Sequence, residues 1–253
     1  MAHPRISVNS LSSFRQSFDD DLRLWKELGV DHVGLISPKM EAIGWQNAPA
    51  LVEGLRVSNI ATEVHVLHES IELAATVGAD VVYICSGTIG ARLWEQAAAA
   101  FVTEMEPFVA HAREAGVTLA VEPTNPLRSD LSFLFTYRDA VDVARDAGMT
   151  TVLDLYSCWY ERGLEQAVRT DLGMLSLVQI CDFTVGTSVA GSRAVVGDGD
   201  IPLEQLLAML LQSGYEGVFD LEIIGAAIEE EGYRSAVERS LHYLDEVLER
   251  LGA

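Results

Sequence analysis

Polar side chains stand at the ends of four apolar runs in the second half of the chain. They are Glu122 after VTLAV, Asp154 after TTVL, Gln179 after LSLV and Glu222 after VFDL. Successive members lie 32, 25 and 43 residues apart, which is roughly one strand–helix unit each time. A charge at the end of a buried strand is costly unless something compensates it. The repeated pattern therefore indicates one shared site.

Three carboxylates gathered in a site shielded from water would repel one another by several kcal/mol. Either some of them are protonated or a cation lies among them. A donor set of three carboxylates and one amide suits a hard divalent ion, Mg²⁺ or Mn²⁺, with Co²⁺ and Zn²⁺ as alternatives. For each acid taken alone, the competing interpretation is a helix cap or an ion pair with an arginine.

The elements that must position these side chains are eight short apolar runs that alternate with amphipathic helical stretches. The runs begin near residues 5, 31, 55, 80, 117, 150, 176 and 217. Several follow a glycine that ends a helix, as in ELGVDHVGL and EAGVTLAV, which is typical of repeated βα units. No glycine-rich phosphate loop of the GxGxxG or GxxxxGK type is present.

This α/β pattern predicts a single (β/α)8 TIM barrel, with one domain over residues 1–253. Barrel enzymes place their sites at the C-terminal ends of the strands, where all four polar side chains would then meet. Alternation along each strand also predicts that Ala120, Val152 and Leu177 point into the barrel.

Composition limits the partners of the protein. The formal net charge of the 253 residues is -21, and an acidic surface repels nucleic acid and anionic membranes. We therefore expect a small-molecule substrate, no nucleic acid and no membrane. The start MAHPRISVNS lacks the apolar core of a signal peptide. The three widely spaced cysteines contain no CxxC pair, so a reducing cytoplasmic setting is expected.

Two loops depart from an even repeat. The third unit, RVSNIATEVHVLHESIELAA, runs from strand into helix with a very short loop. That side of the site would be open to a bulky substrate or to a loop from another subunit of a homo-oligomer. The seventh unit instead carries the long segment DFTVGTSVAGSRAVVGDGD, whose length suggests a loop that contacts the substrate.

The motifs after residue 115 resemble those of the xylose isomerase-like superfamily of sugar isomerases and epimerases. VTLAVEPTNP is similar to the fifth-strand motif, VLDLY to the sixth, and VFDLEI after SGYEG to the eighth. GDGDIPLEQLLAMLLQSGYEG resembles the family's lead into the last helix and strand. The resemblance extends over nearly the whole chain and implies that Glu122, Asp154 and Glu222 are metal ligands.

Two positions differ from the common family pattern. Most members carry a histidine ligand on the seventh strand, where this chain has Gln179; hydroxypyruvate isomerase-like members have a Gln-Ile pair there, which implies Gln179 as the fourth ligand. Those relatives carry a histidine three residues after the sixth-strand Asp, and here that position is Ser157. The resemblance also places Arg193 where many members bind substrate.

The resemblance further implies catalytic roles for Glu122 and Glu222, which would hold the metal and exchange a proton with the carbon next to a carbonyl group. We predict that four residues contact the substrate, namely Arg193, Ser157, Trp159 and His65. Each of them has a competing interpretation. Arg193 could instead pair with a surface acid, and His65 could be satisfied by the backbone at a helix start. Ser157 and Trp159 are predicted to form one wall of the substrate pocket. The competing interpretation is that they pack beneath loops.

The sequence thus predicts a metal-dependent isomerase or epimerase that acts on a sugar-like hydroxy-carbonyl compound through an enediolate. A metal-dependent lyase or dehydratase would use the same base and ion and is the first alternative. A ligand-binding or assembly barrel without activity is the second. A covalent mechanism at Cys158 is not expected, because no histidine follows it closely.

Overall fold

The computed structural model describes residues 2–189 and 191–253. Its centre is a closed barrel of eight parallel strands in the order β1 to β8, in which β8 pairs with β1. All eight strands predicted from the sequence are present, and the predicted (β/α)8 barrel is confirmed. The strands are β1 Ile6–Asn9, β2 His32–Ile36, β3 Arg56–Thr62, β4 Val81–Cys85, β5 Thr118–Glu122, β6 Thr150–Asp154, β7 Leu175–Ile180 and β8 Phe219–Leu221.

Helices surround the barrel and connect its strands. They are α1 Phe18–Leu28, α2 Ser37–Ile43, α3 Ala48–Leu51, α4 Leu67–Val77, α5 Trp94–Ala115, α6 Tyr137–Ala147, α7 Leu155–Cys158, α8 Leu164–Thr170, α9 Leu203–Gln212, α10 Ala226–Glu231 and α11 Tyr233–Leu251. Short 3-10 turns lie at Ser10–Ser13, Trp45–Asn47, Val64–Val66, Pro126–Arg128 and Leu172–Met174.

Helix α6 illustrates why these segments fold as they do. Thr136 caps its N-terminus by accepting a hydrogen bond from the backbone N–H of Asp139 at 3.0 Å. The buried positions Ala140, Val141 and Ala144 recur at helical spacing and face the barrel. Gly148 then ends the helix at φ 73°, a left-handed conformation that side chains with a Cβ rarely adopt.

The barrel interior is packed with small and apolar side chains from alternate positions of the strands. Ala120, Val152 and Leu177 form one cluster there with Val81 and Tyr83, which confirms the inward direction predicted for the first three. The much larger apolar core lies outside the strands, between them and the helices. This packing fixes the strand ends, and the strand ends in turn fix the site.

The two unusual loops have the lengths predicted. Strand β3 ends at Thr62 and α4 begins at Leu67, with only a 3-10 turn between them. No helix lies between β7 and α9 among the described residues, and Ala190 within that loop is outside them. The Asp182 carboxylate organises the loop, because it accepts hydrogen bonds from the backbone N–H groups of Gly197, Gly199 and Ile201 at 3.0 to 3.1 Å.

All three cysteines, Cys85, Cys158 and Cys181, are free thiols. Over residues 2–189 and 191–253, no helix combines the length and apolar character needed to cross a membrane.

Candidate active site

A cavity of about 680 Å³ opens at the C-terminal end of the barrel. Glu122, Asp154 and Glu222 line it from β5, from β6 and from the residue after β8. All three side chains are at least nine-tenths buried. The structure therefore brings together the three carboxylates that the sequence placed at successive strand ends; we call this group, with Arg193, the acidic cup.

Arg193 lies inside the acidic cup rather than on the surface. Its Nη2 is 3.1 Å from Asp154 Oδ2, and its Nη1 is 3.1 Å from Glu222 Oε1. Nη1 also donates a hydrogen bond to the backbone carbonyl of Glu222 at 2.7 Å. The competing interpretation, an ion pair with a surface acid, is wrong, because both ion-pair partners of Arg193 among the described residues are buried.

Gln179 lies just beneath the cup and is fully buried. Its Nε2 donates hydrogen bonds to Tyr83 Oη at 2.9 Å and to Glu222 Oε2. Its Oε1 is buried without a hydrogen-bond partner in the described residues. The amide thus contacts one of the predicted ligands, but it supports the cup from below and does not line the cavity.

Ser157 occupies the position where relatives of the resembled family carry a histidine, and it contacts the cup directly. Its Oγ donates a hydrogen bond to Asp154 Oδ2 at 2.8 Å. The other oxygen of Asp154 accepts from the backbone N–H of Tyr156 at 3.0 Å. The Tyr156 ring lies over the Arg193 guanidinium, with Cζ 5.0 Å from the ring centroid. Asp154 and Arg193 are therefore held in place from several sides.

Burial raises the pKa of both glutamates, and the ion pair of Arg193 with Glu222 separates their proton affinities. Burial raises the pKa of Glu122 well above its usual range, and the charges of Glu222 and Asp154 raise it further. Burial raises the pKa of Glu222 to about 7, against the opposing effect of Arg193. Glu122 has no ion-pair partner among the described residues, unlike Asp154 and Glu222. A protonated Glu122 beside an ionisable Glu222 is the arrangement expected of an acid–base pair.

The donor chemistry of the cup fits a hard divalent ion. Three carboxylates and the unpartnered Gln179 Oε1 supply only oxygen. In the described residues, however, no three His, Cys, Asp or Glu side chains are grouped closely enough to hold an ion. Arg193 pairs with two of the four donors, so an ion could enter only if the guanidinium released at least one carboxylate.

Two of the predicted substrate contacts are not brought to the cavity. The His65 side chain is 63% exposed and lies 3.2 Å from Glu63 Oε2, while its neighbour Val64 faces the cavity instead. Trp159 packs against the apolar core and contacts Tyr160 edge to face at 5.8 Å. The placement of His65 and Trp159 therefore gives no support to their predicted roles.

Other cavity residues were missed or undervalued at the sequence level. Tyr83 and Cys85 both point inward from β4 and line the cavity, and the alternation in VVYIC could have revealed them. Burial raises the pKa of the Cys85 thiol well above its usual value, so it is an uncharged neighbour of Glu122, its register partner. Arg128 also lines the cavity and pairs with Asp130 at 3.0 Å.

The fold and the cup together define a (β/α)8 barrel with a buried cluster of carboxylates at the C-terminal ends of its strands. The family described as xylose isomerase-like TIM barrel matches residues 58–244. The chain belongs to this family.

Solved structures share the whole fold at low sequence identity. Protein SMc04130 from Sinorhizobium meliloti 1021 is 21% identical, with a TM-score of 0.84 over 98% of both chains. The IolI protein with a bound zinc atom is 15% identical, with a TM-score of 0.80 over 98% of this chain and 99% of that one. An L-ribulose 3-epimerase is 18% identical, with a TM-score of 0.77 over 100% and 96% of the two chains. No curated protein sequence matches the chain.

Proposed function

We propose that the protein is an isomerase or epimerase that moves a proton at a carbon next to a carbonyl group of a sugar-like substrate. The observation that carries this proposal is the pair of buried glutamates, Glu122 and Glu222, which face one cavity from different strands. Membership of the xylose isomerase-like family and the similarity to an L-ribulose 3-epimerase support it.

In the proposed reaction, Glu222 is the base and Glu122 is the acid. A carboxylate with a pKa of about 7 can accept the proton from carbon near neutral pH. Glu122, which holds its proton more tightly, then returns a proton to the enediolate. Return to the opposite face of the same carbon gives epimerisation, and return to the neighbouring carbon gives isomerisation. Either way, Glu222 gains a proton from the substrate and Glu122 gives one up, and proton exchange with solvent water returns both glutamates to their starting states before the next turnover.

Arg193 and Asp154 would orient the substrate and balance its charge. The buried guanidinium can donate to an oxygen that becomes negative during proton removal, and Asp154 can accept hydrogen bonds from substrate hydroxyl groups. The oxygens of Glu122, Asp154, Gln179 and Glu222 would hold a divalent ion, Mn²⁺ or Mg²⁺ before Co²⁺ or Zn²⁺. When bound, the ion would polarise the carbonyl group as a Lewis acid.

The proposal is tested by incubating the protein with a panel of ketopentoses, ketohexoses and small hydroxyketones in deuterated water, with and without MnCl₂. Proton NMR should show deuterium entering the carbon next to the carbonyl while the carbon skeleton and its substituents are retained. Loss of a substituent β to the carbonyl would favour the lyase or dehydratase. A complete lack of exchange across the panel would contradict both the isomerase or epimerase hypothesis and the lyase or dehydratase hypothesis.

A further inference from the structure

The cavity has two chemically different sides. The acidic cup belongs to the β5 to β8 side, together with Ser157. The loops and strand ends of β1 to β4 supply a mainly apolar surface, which we call the apolar wall. Its members are Leu11, Phe14, Ile36, Pro38 and Val64.

Phe14 makes the apolar wall accessible to a ligand. Its side chain is 45% exposed although it is a large aromatic. Among the described residues, eight large apolar side chains are at least 36% exposed, and seven of them lie in loops that follow strands, so the exposed apolar surface is concentrated at the end of the barrel that holds the cup. Exposed apolar surface next to a site marks a place where a ligand can be buried.

The segment that carries Phe14 is held in place from below. The buried Lys39 Nζ donates hydrogen bonds to the backbone carbonyls of Ser10 and Ser13, each at 3.0 Å, and to Asp21 Oδ2 at 2.6 Å. Ser13 Oγ donates to the other oxygen of Asp21 at 2.5 Å. The Phe14 backbone N–H donates a hydrogen bond to the Leu11 carbonyl at 3.1 Å, which completes the turn. The ring is therefore presented by a fixed platform, which lowers the entropy lost when a ligand packs on it.

The third loop leaves the wall open toward solvent. Only a 3-10 turn separates β3 from α4, and Val64 in that turn lines the cavity. The cavity volume of about 680 Å³ lies within the range of about 300–1,000 Å³ that is usual for drug-sized ligands. The cup occupies only one side of it.

We infer that the protein acts on a hydroxy-carbonyl compound that carries an apolar group of about the size of a phenyl ring. The hydroxy-carbonyl head would lie in the acidic cup, and the apolar group would pack on Phe14, Ile36 and Val64. This inference rests on the proposed function for the identity of the head. We infer that the apolar wall binds the substrate itself and not a loop from a second copy of the chain.

Two probes with the same head test the inference. Hydroxyacetone and 2-hydroxyacetophenone share a hydroxymethyl ketone and differ in a methyl against a phenyl group. Isothermal titration calorimetry should show at least tenfold tighter binding of the phenyl compound by the wild-type protein. In Phe14→Ser and in Val64→Asn this preference should fall to threefold or less.

Leu93→Ser is the matched control, because Leu93 is a 69% exposed loop residue at the same end of the barrel that does not line the cavity. It should keep the full preference. A wild-type preference below twofold, no binding of the phenyl compound at millimolar concentration, or equal losses in Phe14→Ser and Leu93→Ser would overturn the inference. A wild-type dimer that Phe14→Ser turns into a monomer in sedimentation equilibrium would assign the wall to a second copy and would also overturn it.

Deuterium exchange on the same two probes separates this inference from the proposed function. Preference for the phenyl compound without exchange in either probe or in any compound of the panel would contradict the proposed function and leave the apolar wall as a binding surface. Exchange of both compounds with no preference would leave the function in place and contradict the inference.

Discussion

Arg193 supplies the positive charge that the buried carboxylates of the cup require. Its two terminal nitrogens lie 3.1 Å from Asp154 and from Glu222, and the side chain is nine-tenths buried. Burial alone would lower the pKa of the guanidinium, but the charges of these two acids raise it well above its usual value. A divalent ion and this arginine would therefore use the same oxygens.

Replacement of this arginine by methionine, Arg193→Met, is expected to change stability and metal affinity in opposite directions. Removing one partner of a buried ion pair costs about 3–5 kcal/mol of unfolding free energy, since the carboxylates are left uncompensated. Because the carboxylates no longer pair with the guanidinium, the affinity for Mn²⁺ should rise at least tenfold, which is about 1.4 kcal/mol. Denaturant unfolding with and without MnCl₂, together with calorimetric titration of the ion, measures both effects.

Arg128→Met is the control for this experiment, because Arg128 lines the same cavity but pairs with Asp130 and not with the cup. It should change Mn²⁺ affinity by less than threefold. Equal or weaker Mn²⁺ binding by Arg193→Met than by the wild-type protein would show that the guanidinium does not compete with the ion.

At the residue scale, the sequence located the carboxylates better than the side chains around them. Strand alternation fixes where Glu122 and Asp154 point, because a strand turns successive side chains by half a revolution. Arg193 follows 13 residues after the end of β7, and no local rule specifies how such a loop folds back. His65 and Trp159 sit in short turns, where a change of one position reverses the direction of a side chain.

At the scale of elements, Gly34 in β2 sets how closely three strands approach inside the barrel. A Cβ at this position would lie 2.6 Å from Asn9 Nδ2 of β1 and 2.8 Å from Asn59 Oδ1 of β3. These two amides hydrogen-bond each other at 3.1 Å, and Asn9 Nδ2 also donates to Asp220 Oδ2 at 2.9 Å. The glycine therefore makes room for a buried polar network beneath the cup.

Gly34→Ala should lower the unfolding free energy by about 1–3 kcal/mol, because the added methyl group overfills this space. Gly173→Ala is the matched control, since nothing lies within 4 Å of the Cβ it would gain and its backbone is not left-handed. Urea unfolding of both variants measures the difference. A Gly34→Ala protein as stable as Gly173→Ala would mean that the asparagines move aside freely.

The buried ion pair of Asp21 in α1 with Lys39 in α2 should make the unfolding free energy depend on pH. Burial raises the pKa of Asp21 to about 6, against the opposing charge of Lys39, whereas an unfolded Asp titrates near about 4. The folded state therefore binds this proton more tightly than the unfolded chain does. Its contribution to stability is present below about pH 4 and is lost as the pH rises to about 6, a change of about 3 kcal/mol.

The double variant Asp21→Leu with Lys39→Met should lack that contribution. Urea unfolding at several pH values between 4 and 7 should show a smaller decline with rising pH in the double variant than in the wild-type protein. Parallel curves for the two proteins would exclude Asp21 as the source of the decline.

At the scale of the whole molecule, periodicity in the sequence was sufficient to predict the barrel. Every helix except the short α7 ends within three residues of a glycine, and the strands are short and mainly apolar, so local preferences and the closed order of β1 to β8 agree. The loops carry most of the specific chemistry, because they supply Arg193 and Phe14. Their conformations depend on long-range contacts such as Lys39 with Ser10, which no short stretch of sequence encodes.

In the proposed reaction, Glu122 and Glu222 each exchange a proton with the substrate. The most direct measurement is the rate of deuterium uptake by the best substrate of the panel in Glu122→Gln, Glu222→Gln and Glu63→Gln. Glu63 lines the same cavity at its exposed rim and serves as the matched control. We expect losses of at least about 100-fold in the first two variants and less than twofold in the third. Uptake within tenfold of wild type in either cup variant would show that this glutamate does not carry the proton.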